Sequence, residues 1–123
     1  MAANKAIRIG PVAVANVAGN LINPPILSGG VNPPALSTAS YLILKHIRVI
    51  NKTAGAVNMS AFIGATGGSA AGTEFAWSAT PVPANSYLDW YGLLRLDIAD
   101  FLTGLASAAT SLVIEAEGEI GVA

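Results

Sequence analysis

The chain predicts an all-β fold: an antiparallel β-sandwich of Greek-key or jelly-roll type over residues 39–123, preceded by an extended, Pro-rich N-terminal docking arm over residues 1–38. Three observations predict it. Apolar and polar residues alternate with period two in several short segments, as in strands with one buried face. Turn-forming Gly, Pro and Asn recur at intervals of roughly 8 to 12 residues, the spacing of short strands in a sandwich or barrel. Paired prolines concentrate before residue 39, and they forbid both helix and central strand there.

Each element follows in order. Ala6 to Ala15 reads as one short strand, interrupted at Gly10-Pro11. Asn23-Pro24-Pro25-Ile26-Leu27-Ser28 returns as Asn32-Pro33-Pro34-Ala35-Leu36-Ser37 around Gly29-Gly30. Proline holds φ near about −65° and lacks an amide donor, so polyproline-like, extended backbone is the natural state. Such a segment loses little entropy on docking. Pro24, Pro25, Ile26, Leu27, Pro33, Pro34 and Leu36 are therefore candidate contacts with a neighbouring subunit. Tyr41 to Lys52 is β-branched and aliphatic, with Ile47 and Val49 on one face and His46 and Arg48 on the other. A turn at Lys52 to Ala56 leads to Val57 to Gly64, where Val57, Met59, Ala61 and Ile63 alternate, which predicts a hairpin. Ala65 to Gly72 is a loop of small residues, and Glu74 to Ser78 a short strand that Pro81 and Pro83 close off. Ser86 to Tyr91 and Leu93 to Ile98 form two strands, or one bent at Gly92. Ile98, Phe101, Leu102 and Leu105 have helical spacing and predict one helical turn. Thr110 to Val122 is the last strand.

Composition bounds the function. Of 123 residues, 53% are hydrophobic and 11% charged, against about 25% charged in an ordinary soluble domain. Much of the apolar content is Ala, but a free monomer with so few charges is unusual, and burial against partner subunits is the simpler account. The net charge is −1, and the six Lys and Arg residues are scattered. That excludes the basic stripe of a nucleic-acid binder. The absence of cysteine excludes disulfides, thiolate metal sites and cysteine nucleophiles. Lys5 and Arg8 before Ile9 to Ala18 faintly resemble a signal peptide, but none is expected, because Pro11 and Asn16 break a run already short. No segment approaches the roughly 20 apolar residues of a membrane span.

The residues that bear chemistry are few. Leu112, Ile114, Ala116, Gly118 and Ile120 share one face of the last strand, while Val113, Glu115, Glu117 and Glu119 share the other. A row of carboxylates invites a calcium site. Positions spaced along a flat strand splay, however, so a solvated face or ion pairs with Lys45, Arg48 or Arg95 on neighbouring strands is the favoured reading. His46 is the only histidine, and no second histidine or cysteine exists to complete a zinc site. As a lone group on a strand, it is expected at a surface or interface. Asp89, Asp97 and Asp100 are formal candidates for a carboxylate-only hydrolase, although Asp97 and Asp100 flank a turn where aspartate bonds its own backbone. Gly64 to Ser69 lacks the Lys-Ser/Thr of a phosphate-binding loop. Tyr87, Trp90 and Tyr91 form the densest aromatic patch and are read as core filling, as subunit-interface anchors, or as a sugar platform. Asn51-Lys52-Thr53 and Asn58-Met59-Ser60 match a glycosylation sequon by chance.

The order of these pieces resembles a family of small tailed-bacteriophage virion proteins. The stretch that carries the likeness opens with Tyr41-Leu42-Ile43-Leu44-Lys45-His46-Ile47-Arg48-Val49-Ile50-Asn51-Lys52-Thr53. It continues through Phe62-Ile63-Gly64-Ala65-Thr66-Gly67, Pro83-Ala84-Asn85-Ser86, Trp90-Tyr91-Gly92 and Leu94-Arg95-Leu96. It closes with Ser111-Leu112-Val113-Ile114-Glu115-Ala116-Glu117-Gly118-Glu119-Ile120. The resemblance covers residues 39–121, in strand-and-turn patterns without a chemical signature. It implies a β-sandwich component of a virion, either a capsid decoration protein or a neck or tail subunit, and it carries over no catalytic residue.

The expectation is therefore a non-enzymatic virion structural protein without catalytic residues, metal or cofactor. Its leading role is a capsid decoration or cement protein that binds the major capsid lattice. A head-tail connector, collar or tail subunit is the alternative, and a carbohydrate-binding β-sandwich module the alternative of another class. Partners are copies of itself, as a trimer or a ring, together with the major capsid protein or neck and tail proteins, with no nucleic acid and no membrane. Deleting residues 1–38 is expected to leave a folded domain that no longer joins its assembly.

Overall fold

Among the described residues, the period-two patterns become eight antiparallel strands in two facing sheets. The computed structural model of the chain describes residues 5–22, 39–97 and 100–122. Its strands are β1 (Lys5–Val14), β2 (Gly19–Ile22), β3 (Ala39–Asn51), β4 (Val57–Gly64), β5 (Thr80–Val82), β6 (Tyr87–Leu96), β7 (Phe101–Ala106) and β8 (Leu112–Val122). Sheet A has the order β1-β8-β3-β6 and sheet B the order β2-β7-β4-β5. This order has a simple origin. β1 pairs with β8, β2 with β7, β3 with β6 and β4 with β5, so the chain is one long antiparallel ribbon folded at its middle. Rolling that ribbon brings β8 against β3 and β7 against β4, which completes two four-stranded sheets. The result is the double Greek key of a jelly roll, and the predicted all-β sandwich is the fold.

The core lies between the sheets. Ile9, Val14, Leu42, Leu44, Ile47, Val49, Leu94, Leu96, Leu112 and Ile114 from sheet A meet Leu21, Ile22, Val57, Met59, Val82, Leu102 and Ala106 from sheet B. Each fully buried aliphatic side chain of this kind contributes roughly 1.5–3 kcal/mol. Trp77, in the connection that runs beside β4, is buried with them.

The expected arm is corrected over residues 5–22. β1 pairs with β8 from Lys5↔Ile120 to Val14↔Leu112, and β2 pairs with β7; Ile9, Val14, Leu21 and Ile22 are core residues. The predicted strand from Ala6 to Ala15 exists, with its register shift at Gly10-Pro11, but it belongs to the sandwich. Residues 5–22 thus share one sandwich with the strands that follow residue 39. The repeat around Gly29-Gly30 joins β2 to β3 and lies outside the described residues, as do Pro24, Pro25, Ile26, Leu27, Pro33, Pro34 and Leu36.

The expected β3–β4 hairpin is also corrected, since β3 and β4 lie in different sheets. Asn51-Lys52-Thr53 makes the corner between them. Asn51 is fully buried. Its Nδ2 donates to Gly55 O at 2.9 Å and Val82 O at 3.0 Å, and its Oδ1 accepts from Thr53 N at 2.8 Å and Thr53 Oγ1 at 2.7 Å. The Pro83-Ala84-Asn85-Ser86 turn is the return corner and docks on the first: Asn85 N donates to Thr53 O at 3.0 Å, and Asn51 N to Ser86 O at 2.8 Å. The sequon at Asn51 is thus a structural device.

Two shorter readings change as well. Glu74 to Ser78 and the preceding Thr73 bond to β4 through Ile63 N to Thr73 O, Phe75 N to Ala61 O and Ala61 N to Trp77 O. Positive φ at Ala76 (64°) and Ala79 (48°) interrupts a regular ladder, and the strand that forms is β5, at the sheet edge where Pro81 needs no donor. The predicted helical turn over Ile98 to Leu105 is the strand β7 over its described part. Leu102, Gly104 and Ala106 alternate into the core side, and pairing to both β2 and β4 overrides the weak helical spacing.

Candidate functional site

The outer face of sheet A is set by two irregularities in register. Leu44 pairs with Gly118, yet His46 pairs with Glu117, so β3 carries an extra residue at Lys45 relative to β8. Leu44 pairs with Leu94, yet His46 pairs with Tyr91, so β6 carries an extra residue at Gly92-Leu93 relative to β3. Gly118 allows the first bulge, because a Cβ there would sit 1.9 Å from Ile43 O. The bulge moves the alternation of β3 by one residue. Leu42 and Leu44 face the core on one side of it, Ile47 and Val49 on the other, and Lys45 and His46 both turn outward.

There His46 meets two carboxylates from two other strands. Its Nε2 lies 2.8 Å from Asp89 Oδ1 on β6, and its Nδ1 3.0 Å from Glu117 Oε1 on β8. Its ring stacks on Tyr91 with centroids 4.6 Å apart and planes 15° from parallel. Arg48 grips the same Asp89 with two bonds, Nε to Oδ1 at 2.7 Å and Nη2 to Oδ2 at 3.0 Å, and lies over the Tyr87 ring at 4.2 Å. Lys45 pairs with Glu119. Arg95 pairs with Asp97 and lies over the Tyr41 ring.

The protonation states follow from these contacts. Burial pulls the His46 pKa down, and the bonds to Asp89 and Glu117 more than offset it, so the imidazole sits above its ordinary value. The hydrogen bond from Arg48 holds the Asp89 carboxyl below the usual carboxylate range, against the opposing effect of burial, with a further lowering bond from His46. The same bond to Asp89 raises the Arg48 guanidinium, against a smaller desolvation effect. Arg48 and Asp89 are thereby held charged, and His46 keeps its proton to higher pH than an ordinary histidine.

Of the expected ion pairs with the glutamate row, Lys45–Glu119 forms, while Arg48 takes Asp89 and Arg95 takes Asp97. Among the described residues, no three His, Asp or Glu side chains converge as a metal site would require. The aromatic patch divides. Tyr87 and Tyr91 point outward, 51% and 69% exposed, beside Leu93 at 75%. Trp90 points to the opposite face, packs against the core and meets Phe75 edge-on at 4.8 Å, so the three rings do not share one surface. The Gly64 to Ser69 loop is tied to sheet B, where Gly67 N donates to Asn20 Oδ1, Asn20 Nδ2 to Thr66 Oγ1, and Thr103 Oγ1 to Gly68 O. The bridge of His46 to Asp89 and Glu117 is what sequence reasoning missed. A search for a second histidine or cysteine overlooks carboxylates on adjacent strands, and the outward alternation of β3 and β8 was the available signal.

No family model matches the chain, and no curated protein matches it. A solved structure of the infectious bursal disease virus Gx strain is similar over 95% of this chain and 28% of that chain, at 8% sequence identity and a TM-score of 0.29. The chain therefore spans little more than a quarter of the protein it matches, and a likeness this loose carries no functional conclusion.

Proposed function

We propose that the chain is a non-enzymatic structural protein of a bacteriophage virion, a capsid decoration protein that binds the major capsid lattice. One observation carries this reading. Tyr87, Tyr91 and Leu93 stand exposed together on β6, an edge strand of sheet A among the described residues, in a chain with only 11% charged residues. An edge strand offers unpaired backbone groups to another chain, and outward aromatics beside it are the usual anchors of subunit contacts. Many copies on a symmetric lattice multiply such weak contacts into avidity. The resemblance of residues 39–121 to small tailed-phage virion proteins points the same way.

The test is incorporation. Tyr91→Ser combined with Leu93→Ser is expected to leave the fold intact by circular dichroism and to abolish assembly on capsids or self-association in sedimentation. Normal incorporation of that variant would overturn the reading. A neck or tail subunit is distinguished by ring symmetry and low copy number in images of labelled particles. A carbohydrate-binding module loses Trp90 as a platform residue, but Tyr87 and Tyr91 flank the polar groups Arg48, His46 and Asp89 on one face. Binding on a glycan array that Tyr91→Ala abolishes would favour it.

A further inference from the structure

A carboxylate only accepts hydrogen bonds, and a neutral imidazole has one N–H. His46 places both ring nitrogens within hydrogen-bond distance of carboxylate oxygens on different strands. Both nitrogens donate only in the imidazolium. The observed geometry therefore belongs to the protonated side chain.

We propose that His46 is a proton-dependent clasp on sheet A: protonated, it ties β3 to β6 through Asp89 and to β8 through Glu117, and neutral, it releases Glu117. Which bond gives way is set by what else holds each carboxylate. Asp89 is 17% exposed and gripped at both oxygens by Arg48, whereas the Glu117 side chain is 62% exposed. A neutral imidazole keeps its one proton toward the fixed Asp89, and its bare Nδ1 then faces a carboxylate that is free to swing into water.

The groups around the clasp make the face sensitive to this one proton. From β3 come Lys45 and Arg48, and from β6 Asp89 with the Tyr91 and Tyr87 rings. From β8 come Glu115, Glu117 and Glu119, and from β1 Arg8, in register with Glu117. With His46 charged, the four cationic side chains balance the four carboxylates. Once His46 is neutral the face is net negative, beside the exposed Tyr91 and Leu93. The clasp is closed while His46 is protonated, and it opens as pH rises through the histidine midpoint.

Because the full chain has a single histidine, the experiment is direct. Imidazole nitrogen and carbon shifts are followed by NMR from about pH 5 to about pH 9, the range over which histidine titrates. Expected are a midpoint above that of a histidine peptide, a neutral form protonated on Nε2, a lower midpoint in Glu117→Gln, and a smaller effect in Glu115→Gln. Amide exchange of β8 relative to β1, corrected for intrinsic rates, is expected to quicken above the midpoint in the native chain and to lose that dependence in His46→Gln. A midpoint unmoved by Glu117→Gln, or a neutral form protonated on Nδ1, would overturn the proposal.

Discussion

Replacing Asn51 tests how the two sheets are joined. Its carboxamide makes four hydrogen bonds inside the corner, two donated and two accepted. In Asn51→Ala, the single Thr53 hydroxyl proton, shared between Asn51 Oδ1 and Gly55 O, is left to Gly55 O, and Val82 stays in register with Val57, so the uncompensated loss falls on the Thr53 amide. A buried backbone group left without a partner costs about 1–3 kcal/mol, and that is the destabilisation expected of Asn51→Ala. Asn51→Asp separates donor loss from volume loss. At neutral pH its carboxylate keeps the bonds from Thr53 but opposes two carbonyl oxygens in a buried site, so it is expected to be less stable than Asn51→Ala. Its deficit narrows as pH falls, because a protonated carboxyl regains one donor. Urea unfolding followed by tryptophan fluorescence is the assay, since Trp77 is buried and Trp90 half-buried. An Asn51→Ala variant within about 0.5 kcal/mol of the native chain, or an Asn51→Asp variant more stable than Asn51→Ala at neutral pH, would refute this account of the corner.

The remaining predictions use the same measurement. Gly118→Ala forces a Cβ to within 1.9 Å of Ile43 O and 2.8 Å of Leu44 Cα, both backbone atoms, and is expected to cost roughly 3 kcal/mol or more. Gly55→Ala, with no atom within 4 Å of the new carbon, is its near-neutral control. Asp89 titrates below its unfolded value, so its stabilisation is present above about pH 4 and is lost as pH falls through the folded value; Asp89→Asn is expected to be less stable near neutrality and to show a weaker acid limb. Deleting residues 1–38 removes β1 and β2 and uncovers β8 and β7, so the remainder is expected to show no cooperative urea transition; a sharp one would contradict the strand assignment.

Fold class was legible because its signal is local. Val57, Met59 and Ala61 alternate within one strand, as do Leu112, Ile114 and Ala116, and the structure buries all six. Pairing partners were not legible, because they depend on distant residues. Lys52 to Ala56 looks like a hairpin turn, and the information that it is a corner between sheets sits in Asn51's bond to Val82, 31 positions away. The docking-arm boundary failed for a related reason. The prolines of residues 24–34 are conspicuous, and they hid the fact that the plainer segment before them supplies Ile9, Val14, Leu21 and Ile22 to the core. The helical spacing of Phe101, Leu102 and Leu105 was real in the sequence but weaker than two flanking strands with hydrogen bonds to offer.

The candidate site depends on the least legible feature of all. Strict alternation from Leu42 and Leu44 would send residue 46 into the core, where a histidine would be desolvated without partners. Alternation back from Ile47 and Val49 sends it outward. The two halves of β3 are out of phase, and only an extra residue between them reconciles both. The glycine that admits this residue is Gly118, on a strand 74 positions from Leu44. A side chain at position 118 would press the backbone of β3 away, and restoring regular pairing there would turn Lys45 or His46 inward. Gly118 is therefore as much a part of the His46 site as Asp89 or Glu117, although it touches no charged atom: it decides which way the histidine points, and they decide what the histidine does once it is there.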